Sequence, residues 1–132
     1  MHWITQATDI LMLHPGDRAP DIVAHDQSGE RWDLKTALEA GPVVMFFYPK
    51  DFTSVCTSEV CLFQTRLDAV QSHGAQVVGV SADSAESHQR FSQTHGLRYP
   101  LLVDAKRHIA KQYEALYFGF FPKRITYVIG QD

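Results

Sequence analysis

Cysteine is scarce: 132 residues carry two, Cys56 and Cys61. That excludes a disulfide-dense secreted scaffold and favours a catalytic or redox use of the pair in a cytoplasmic protein. Long apolar runs are missing too; none approaches the roughly 18 residues of a membrane span. Met1 to Asp9 has neither a cationic start nor an apolar segment, so a soluble, unsecreted protein is expected. There is no excess of positive charge. The formal net charge is −3 and the closest basic pairs are Lys106-Arg107 and Lys123-Arg124, which argues against nucleic acid as a partner. The seven histidines are dispersed; His73, His88, His95 and His108 fall at no ligand spacing, so surface or packing roles are expected and a zinc site is not. No internal repeat or low-complexity segment interrupts the chain. A content of 45% hydrophobic and 20% charged residues suits one globular domain over 1–132 with a single core.

What the sequence does have is concentrated between Val43 and Val70. Val43-Val44-Met45-Phe46-Phe47-Tyr48 is a short β-branched and aromatic run closed by Pro49, the pattern of a strand buried on both faces of a parallel sheet. After a loop, Cys56, Val60, Phe63, Leu67 and Val70 recur at the spacing of one helix face, with Gly74 as a stop. Cys56 therefore falls in the first turn of that helix. Unpaired backbone N–H groups and the positive end of the helix dipole both favour thiolate over thiol there. A strand-loop-helix junction also delivers the side chain beyond the carboxyl end of a strand, where open α/β sheets bind ligands. The simpler reading of a lone cysteine on an apolar helix face is a small buried hydrophobe; the loop before Cys56 shifts the balance toward a nucleophile.

Elsewhere strands and helices alternate. Residues 1–20 read as an N-terminal arm with turn signals at His14-Pro15-Gly16-Asp17 and Ala19-Pro20. Asp21 to Ala24 and Arg31 to Leu34 flank a turn-rich loop and form a hairpin, and Lys35 to Ala40 a short helix stopped by Gly41-Pro42. Gln76 to Ser81 is a strand. Ala85 to His95 is a helix capped by Asp83 or Ser84, with Glu86 placed after Asp83 as in a capping box, and Gly96 ends it. Tyr99 to Val103 is a strand, Ala105 to Tyr113 a helix, and Arg124 to Ile129 a strand. The aromatic loop Tyr117-Phe118-Gly119-Phe120-Phe121-Pro122 is expected to pack over a core edge, the other reading being an exposed hydrophobic docking patch. The order predicts an α/β fold, a mixed or parallel sheet with helices on both faces.

The spacing Pro49-x-x-x-Thr53-x-x-Cys56 puts a hydroxyl one helical turn before the thiol. It resembles the active-site signature of the peroxiredoxins. Phe47 to Thr53 and Cys56-Thr57-Ser58-Glu59-Val60-Cys61 are similar to the Q-type branch, the bacterioferritin comigratory proteins. Gly16-Asp17-x-Ala19-Pro20-Asp21, Gly79-Val80-Ser81-x-Asp83 and Arg124-Ile125-Thr126-Tyr127-Val128-Ile129 extend the resemblance over nearly the whole chain. The resemblance implies a thioredoxin-like fold and a thiol peroxidase acting on hydrogen peroxide or organic hydroperoxides, with no bound cofactor and a thioredoxin-type reductant. Cys56 is then the peroxidatic nucleophile. Thr53 Oγ and the Cys56 N–H hold the peroxide, Arg124 stabilises thiolate and transition state, and Pro49 shields the sulfur from water. For Thr53 alone the simpler role is an ordinary helix cap, and for Arg124 a solvated strand end. Glu59 either complements the helix dipole or orients Arg124.

The resemblance also implies that Cys61 resolves the oxidised Cys56 as a disulfide; the alternative is a buried helix residue, with an outside thiol doing the resolving. Five residues along an ideal helix separate the two Cα atoms by about 8 to 9 Å, beyond the roughly 7 Å a disulfide tolerates. Pairing therefore requires local unwinding over 55–61. The family normally continues past Arg124 to Ile129 with another strand and a terminal helix, and often has an acidic residue where Gly130 stands. The chain reads as C-terminally short, which would leave that strand less protected and apolar helix-docking surface uncovered; either the form is truncated or an oligomer covers that surface, and a monomer or weak homodimer is expected. Two rivals remain: a disulfide oxidoreductase, which favours Cys-x-x-Cys, and a redox-responsive binding module without sustained turnover.

Overall fold

The computed structural model describes residues 3–7 and 13–131, with the backbone alone for 5–7. The strands are β1 (Ile4–Ala7), β2 (Val23–His25), β3 (Arg31–Asp33), β4 (Val43–Phe47), β5 (Gln76–Ser81), β6 (Leu101–Val103), β7 (Leu116–Tyr117), β8 (Phe121–Pro122) and β9 (Ile125–Ile129). The helices are α1 (Leu34–Ala40), α2 (Ser54–Thr65), α3 (Leu67–Ser72), α4 (Ala85–His95) and α5 (His108–Gln112).

Five strands make one mixed sheet in the order β1-β9-β4-β5-β6. The continuously apolar β4 lies at its centre, parallel to β5 and antiparallel to β9. Pleating sends its alternate side chains to opposite faces. Val43, Met45 and Phe47 enter a cluster with Leu34, Ile109, Tyr113 and Tyr127, while Phe46 and Tyr48 enter a second with Cys56, Val60, Phe91 and Tyr99. A strand apolar at both parities is thereby buried on both faces, as its composition predicts.

Four expectations are corrected. The N-terminal arm supplies an edge strand: β1 pairs antiparallel with β9. Strand β9, expected to be poorly protected, consequently has a hydrogen-bonded neighbour on each side, and Ile125, Tyr127 and Ile129 are buried. The long helix expected through Val70 breaks at Arg66 (φ −93°, ψ 0°) into α2 and α3; the break keeps Leu67 and the half-buried Val70 against the same cluster as Cys56 and Val60. The helix expected from Ala105 starts only at His108, because Arg107 takes φ 59° and the Asp104 carboxylate accepts from the Ile109 and Ala110 N–H groups.

The fourth correction is the aromatic loop. β7 and β8 form a small hairpin, reversed through Phe118 and Gly119, both at positive φ. The reversal points the tip outward instead of down onto the core: Phe118 is 97% exposed, Phe120 66% and Phe121 59%. At α4 the cap is Ser84, whose hydroxyl accepts from the Ser87 N–H; Asp83 is turned to other partners. The hairpin of β2 and β3 forms as expected.

Candidate active site

The end of β4 and the start of α2 bring the cysteine where the strand-loop-helix pattern puts it. Thr53 is the N-cap of α2, in extended conformation (φ −83°, ψ 149°). Cys56 is the third helical residue, fully buried against Val60, Tyr48 and Phe91. An ordinary cap would accept from the N–H of the second or third helical residue. Thr53 makes no such bond; its hydroxyl donates backward to the Lys50 carbonyl at 3.1 Å. The helical N–H groups next to the sulfur are left without a side-chain acceptor, and the Thr53 oxygen, its proton committed, is free to accept.

Arg124 immediately precedes β9, 68 residues from Cys56 in sequence, yet its Nη2 donates to Cys56 Sγ at 3.2 Å. Its Nη1 donates to Glu59 Oε1 at 3.0 Å. The pairing of β9 with β4 brings this about, since Phe47↔Ile125 is the last pair of the register and Arg124 stands beside the loop that follows β4. Burial pulls the Arg124 pKa down, but the hydrogen bond and attraction to Cys56, with Glu59 behind them, outweigh it and hold the group above its ordinary value. Burial also pushes the Glu59 carboxyl up, against the downward pull of Arg124. The two directions agree with a partly desolvated cluster in which Glu59 sits more deeply than the guanidinium. Glu59 thus orients Arg124, the second of the two roles its sequence position allowed.

Pro49 ends β4 and offers no N–H. It lines a cavity of about 20 Å³ with Tyr48, Ala115, Pro122 and Lys123, enough for a single water, into which Cys56 does not open. Cys61 lies on the same unbroken helix as Cys56, half-buried, and both thiols are free. The second half of that helix is fastened from outside: Tyr99 Oη donates to the Val60 carbonyl at 2.6 Å and the Arg98 N–H to Gln64 Oε1 at 2.7 Å. Of the five residues singled out from sequence, Cys56 and Arg124 are in contact, Thr53 stands at the N-cap position of the same helix, Pro49 borders the loop, and Cys61 lies unpaired on that unbroken helix, as the helix spacing requires of the folded form.

Sequence reasoning missed Asp51, His88 and Tyr99. Asp51 lies inside the quoted motif but outside its Pro-Thr-Cys skeleton, and its partner His88, read as a dispersed histidine, is completely buried 37 residues away. No local periodicity signals such a pair.

The AhpC/TSA family model matches residues 15–132. A chloroplastic peroxiredoxin Q of Oryza sativa subsp. japonica is 35% identical over 119 residues, 89% of this chain and 54% of that protein, so the chain spans about half the length of this curated relative. Among solved structures, peroxidoxin BcpB from Mycobacterium tuberculosis is 34% identical with a TM-score of 0.81, covering 89% of this chain and 79% of that one. The bacterioferritin comigratory protein of Xanthomonas campestris, described for its alkyl peroxide reduction activity, is 28% identical with a TM-score of 0.70, over 81% and 68% of the two chains. With the sheet order and the cysteine-arginine contact, these likenesses make the fold the thioredoxin-like fold of that family. The chain belongs to the AhpC/TSA family and, within it, to the Q-type branch of the peroxiredoxins.

Proposed function

We propose that this chain is a thiol-dependent peroxidase that reduces hydrogen peroxide and organic hydroperoxides through Cys56. The observation that carries the reading is the 3.2 Å contact between Arg124 Nη2 and Cys56 Sγ at an N-terminal helix turn free of a side-chain cap. The thiolate attacks one peroxide oxygen; an S–O bond forms as the O–O bond breaks. Sulfur loses two electrons, and the leaving oxygen takes the bonding pair and a proton to depart as water or alcohol. Arg124 and the free N–H groups of α2 face the charge as it moves onto that oxygen, while Thr53 Oγ accepts from the peroxide O–H. Pro49 adds no competing donor and screens the sulfur.

Cys56 is left as a sulfenic acid, which Cys61 converts to a disulfide with loss of water; a thioredoxin-type dithiol then returns both to thiols. A cytoplasmic setting and a monomeric or weakly dimeric state belong to the same reading, the first supported by the presence of only two cysteines in the sequence, the second by the cover that β1 and β4 give β9. Among the described residues no helix is long and apolar enough to cross a membrane.

The test is peroxide consumption in the presence of thioredoxin, its reductase and NADPH. Sustained turnover supports the peroxidase; a single stoichiometric oxidation of Cys56 assigns the chain to a redox-responsive switch instead. Intact-mass analysis after one equivalent of peroxide checks the resolving thiol. Wild type gives an intramolecular disulfide and Cys61→Ser accumulates sulfenic acid and its overoxidation products; an identical species in both excludes Cys61.

Disulfide closure also depends on the fastening of α2. The bond from Tyr99 to the Val60 carbonyl sits between the two cysteines and resists the unwinding that closure requires. Tyr99→Phe keeps the ring in place and removes a bond worth about 1 kcal/mol. Stopped-flow fluorescence should show closure accelerated about fivefold, with the preceding oxidation unchanged. An unaltered closure rate would mean that unwinding stops short of Val60.

A further inference from the structure

The loop between β4 and α2 is held by a buried carboxylate to which the reaction above assigns no part. Asp51 Oδ1 accepts from Tyr48 Oη at 2.6 Å, and Oδ2 accepts from Ser87 Oγ at 2.9 Å and lies 2.7 Å from His88 Nδ1. The Asp51 N–H donates to Asp83 Oδ2 at 2.9 Å, and Ser81 Oγ holds that same oxygen at 2.6 Å. His88 Nε2 lies 3.0 Å from the Leu102 carbonyl. A carbonyl only accepts, so Nε2 carries a hydrogen and a single proton is shared between Nδ1 and Asp51. Asp51 and His88 are 3% and 0% exposed. The residue that follows β4, the turn after β5, the first turns of α4 and, through His88, the middle of β6 therefore all converge on one residue of the loop.

Asp51, Asp83 and His88 offer ligand atoms within 4.8 Å of one another. Each of those atoms is already engaged by a group of the protein, so the cluster is a hydrogen-bond network and not a cation site. Its effect is on the backbone. Phe52, next in sequence, adopts φ 64°, a left-handed conformation that a bulky residue keeps only where its surroundings over-determine it. The four bonds to Asp51 on one side and the edge contact of the Phe52 ring on Phe91, 4.9 Å between centroids, on the other supply that constraint. Pro49 lies two residues before Asp51 and Thr53 two after.

We propose that Asp51 is a positioning residue for the peroxide step. Bound to Tyr48, Ser87, His88 and Asp83, it sets the turn that presents Pro49, the Thr53 oxygen and the uncapped N–H groups of α2 to the two oxygens above Cys56. Rigid support from an adjoining network is what keeps donors within the tolerance that catalysis requires. The inference rests on the peroxidase reading and is separable from it. Alkylation of Cys56 by iodoacetamide needs the thiolate but none of the peroxide-binding groups, whereas oxidation needs both.

The experiment measures both second-order rates in Asp51→Asn and wild type. The peroxide rate should fall about 30-fold, within the roughly 10²-fold that misplacement by an ångström brings, while alkylation changes by less than about threefold. Tyr48→Phe and Ser87→Ala each remove one donor and leave the carboxylate paired with His88; each should lower the peroxide rate about three- to tenfold with the same selectivity. These two variants decide the matter if Asp51→Asn fails to fold. Equal loss in both reactions, or an unchanged peroxide rate across the variants, overturns the proposal. Failure of wild-type Cys56 to react with peroxide at all overturns the peroxidase reading instead.

Discussion

Replacing Arg124 with methionine lowers the second-order rate of Cys56 oxidation by about 10²- to 10³-fold, the range seen when one pre-positioned donor is removed from a developing oxyanion. Methionine retains most of the stem's volume, so the loss reports the guanidinium rather than packing. Two interactions vanish together: the donor 3.2 Å from Cys56 Sγ and the ion pair to Glu59. Glu59, whose pKa burial already raises, loses the group that opposes that rise, and its pKa climbs further. Arg124→Lys recovers only part of the rate, because an ammonium cannot bridge sulfur and carboxylate as a planar fork does. Rapid-mixing competition for hydrogen peroxide measures the effect, with Cys56→Ser as the floor. A loss smaller than about fivefold would remove Arg124 from the chemistry, given how much a single such donor ordinarily supplies.

Phe46→Ala should destabilise the fold by about 3 to 5 kcal/mol, a large part of the 5 to 15 kcal/mol typical of a domain. Phe46 is fully buried at the centre of β4. It stacks on Phe63 of α2 at 4.4 Å and 14° and meets the edge of Tyr99 at 5.9 Å. The ring also explains why a β-strand contains Gly79: a Cβ built there would come within 2.8 Å of Phe46 Cζ and 2.9 Å of Leu101 Cδ2. Gly79→Ala alone should therefore cost about 1 to 3 kcal/mol through overpacking. In the Phe46→Ala background the clash with the ring is relieved and only that with Leu101 Cδ2 remains, so the cost of the methyl falls. Urea denaturation of the four proteins closes the double-mutant cycle. Additive losses would show that Gly79 answers to something other than the ring.

The aromatic hairpin and the Asp51 network show where reading the chain stops. Tyr117 to Phe121 has the composition of a core segment, but composition does not say which way a reversal at Phe118 and Gly119 points. Asp83 and Glu86 have capping-box spacing, yet Ser84 takes the cap because Asp83 is drawn to the Asp51 N–H across the molecule. Gly74, at φ 79° just past α3, ends the helical segment where its position predicts, but nothing local announces the break at Arg66, which leaves Leu67 and Val70 packed with Val60.

The junction of β4 with α2, the first-turn position of Cys56, the βα unit that follows and the family are all legible in the chain, because each is written in periodicities and motifs of a few residues. Only the folded sheet shows how Arg124, which the resemblance assigns to Cys56, reaches it, and that β1 covers β9 and His88 meets Asp51. Those partners lie tens of residues apart, and their meeting depends on strand order and register, which are properties of the whole sheet and not of any stretch of it.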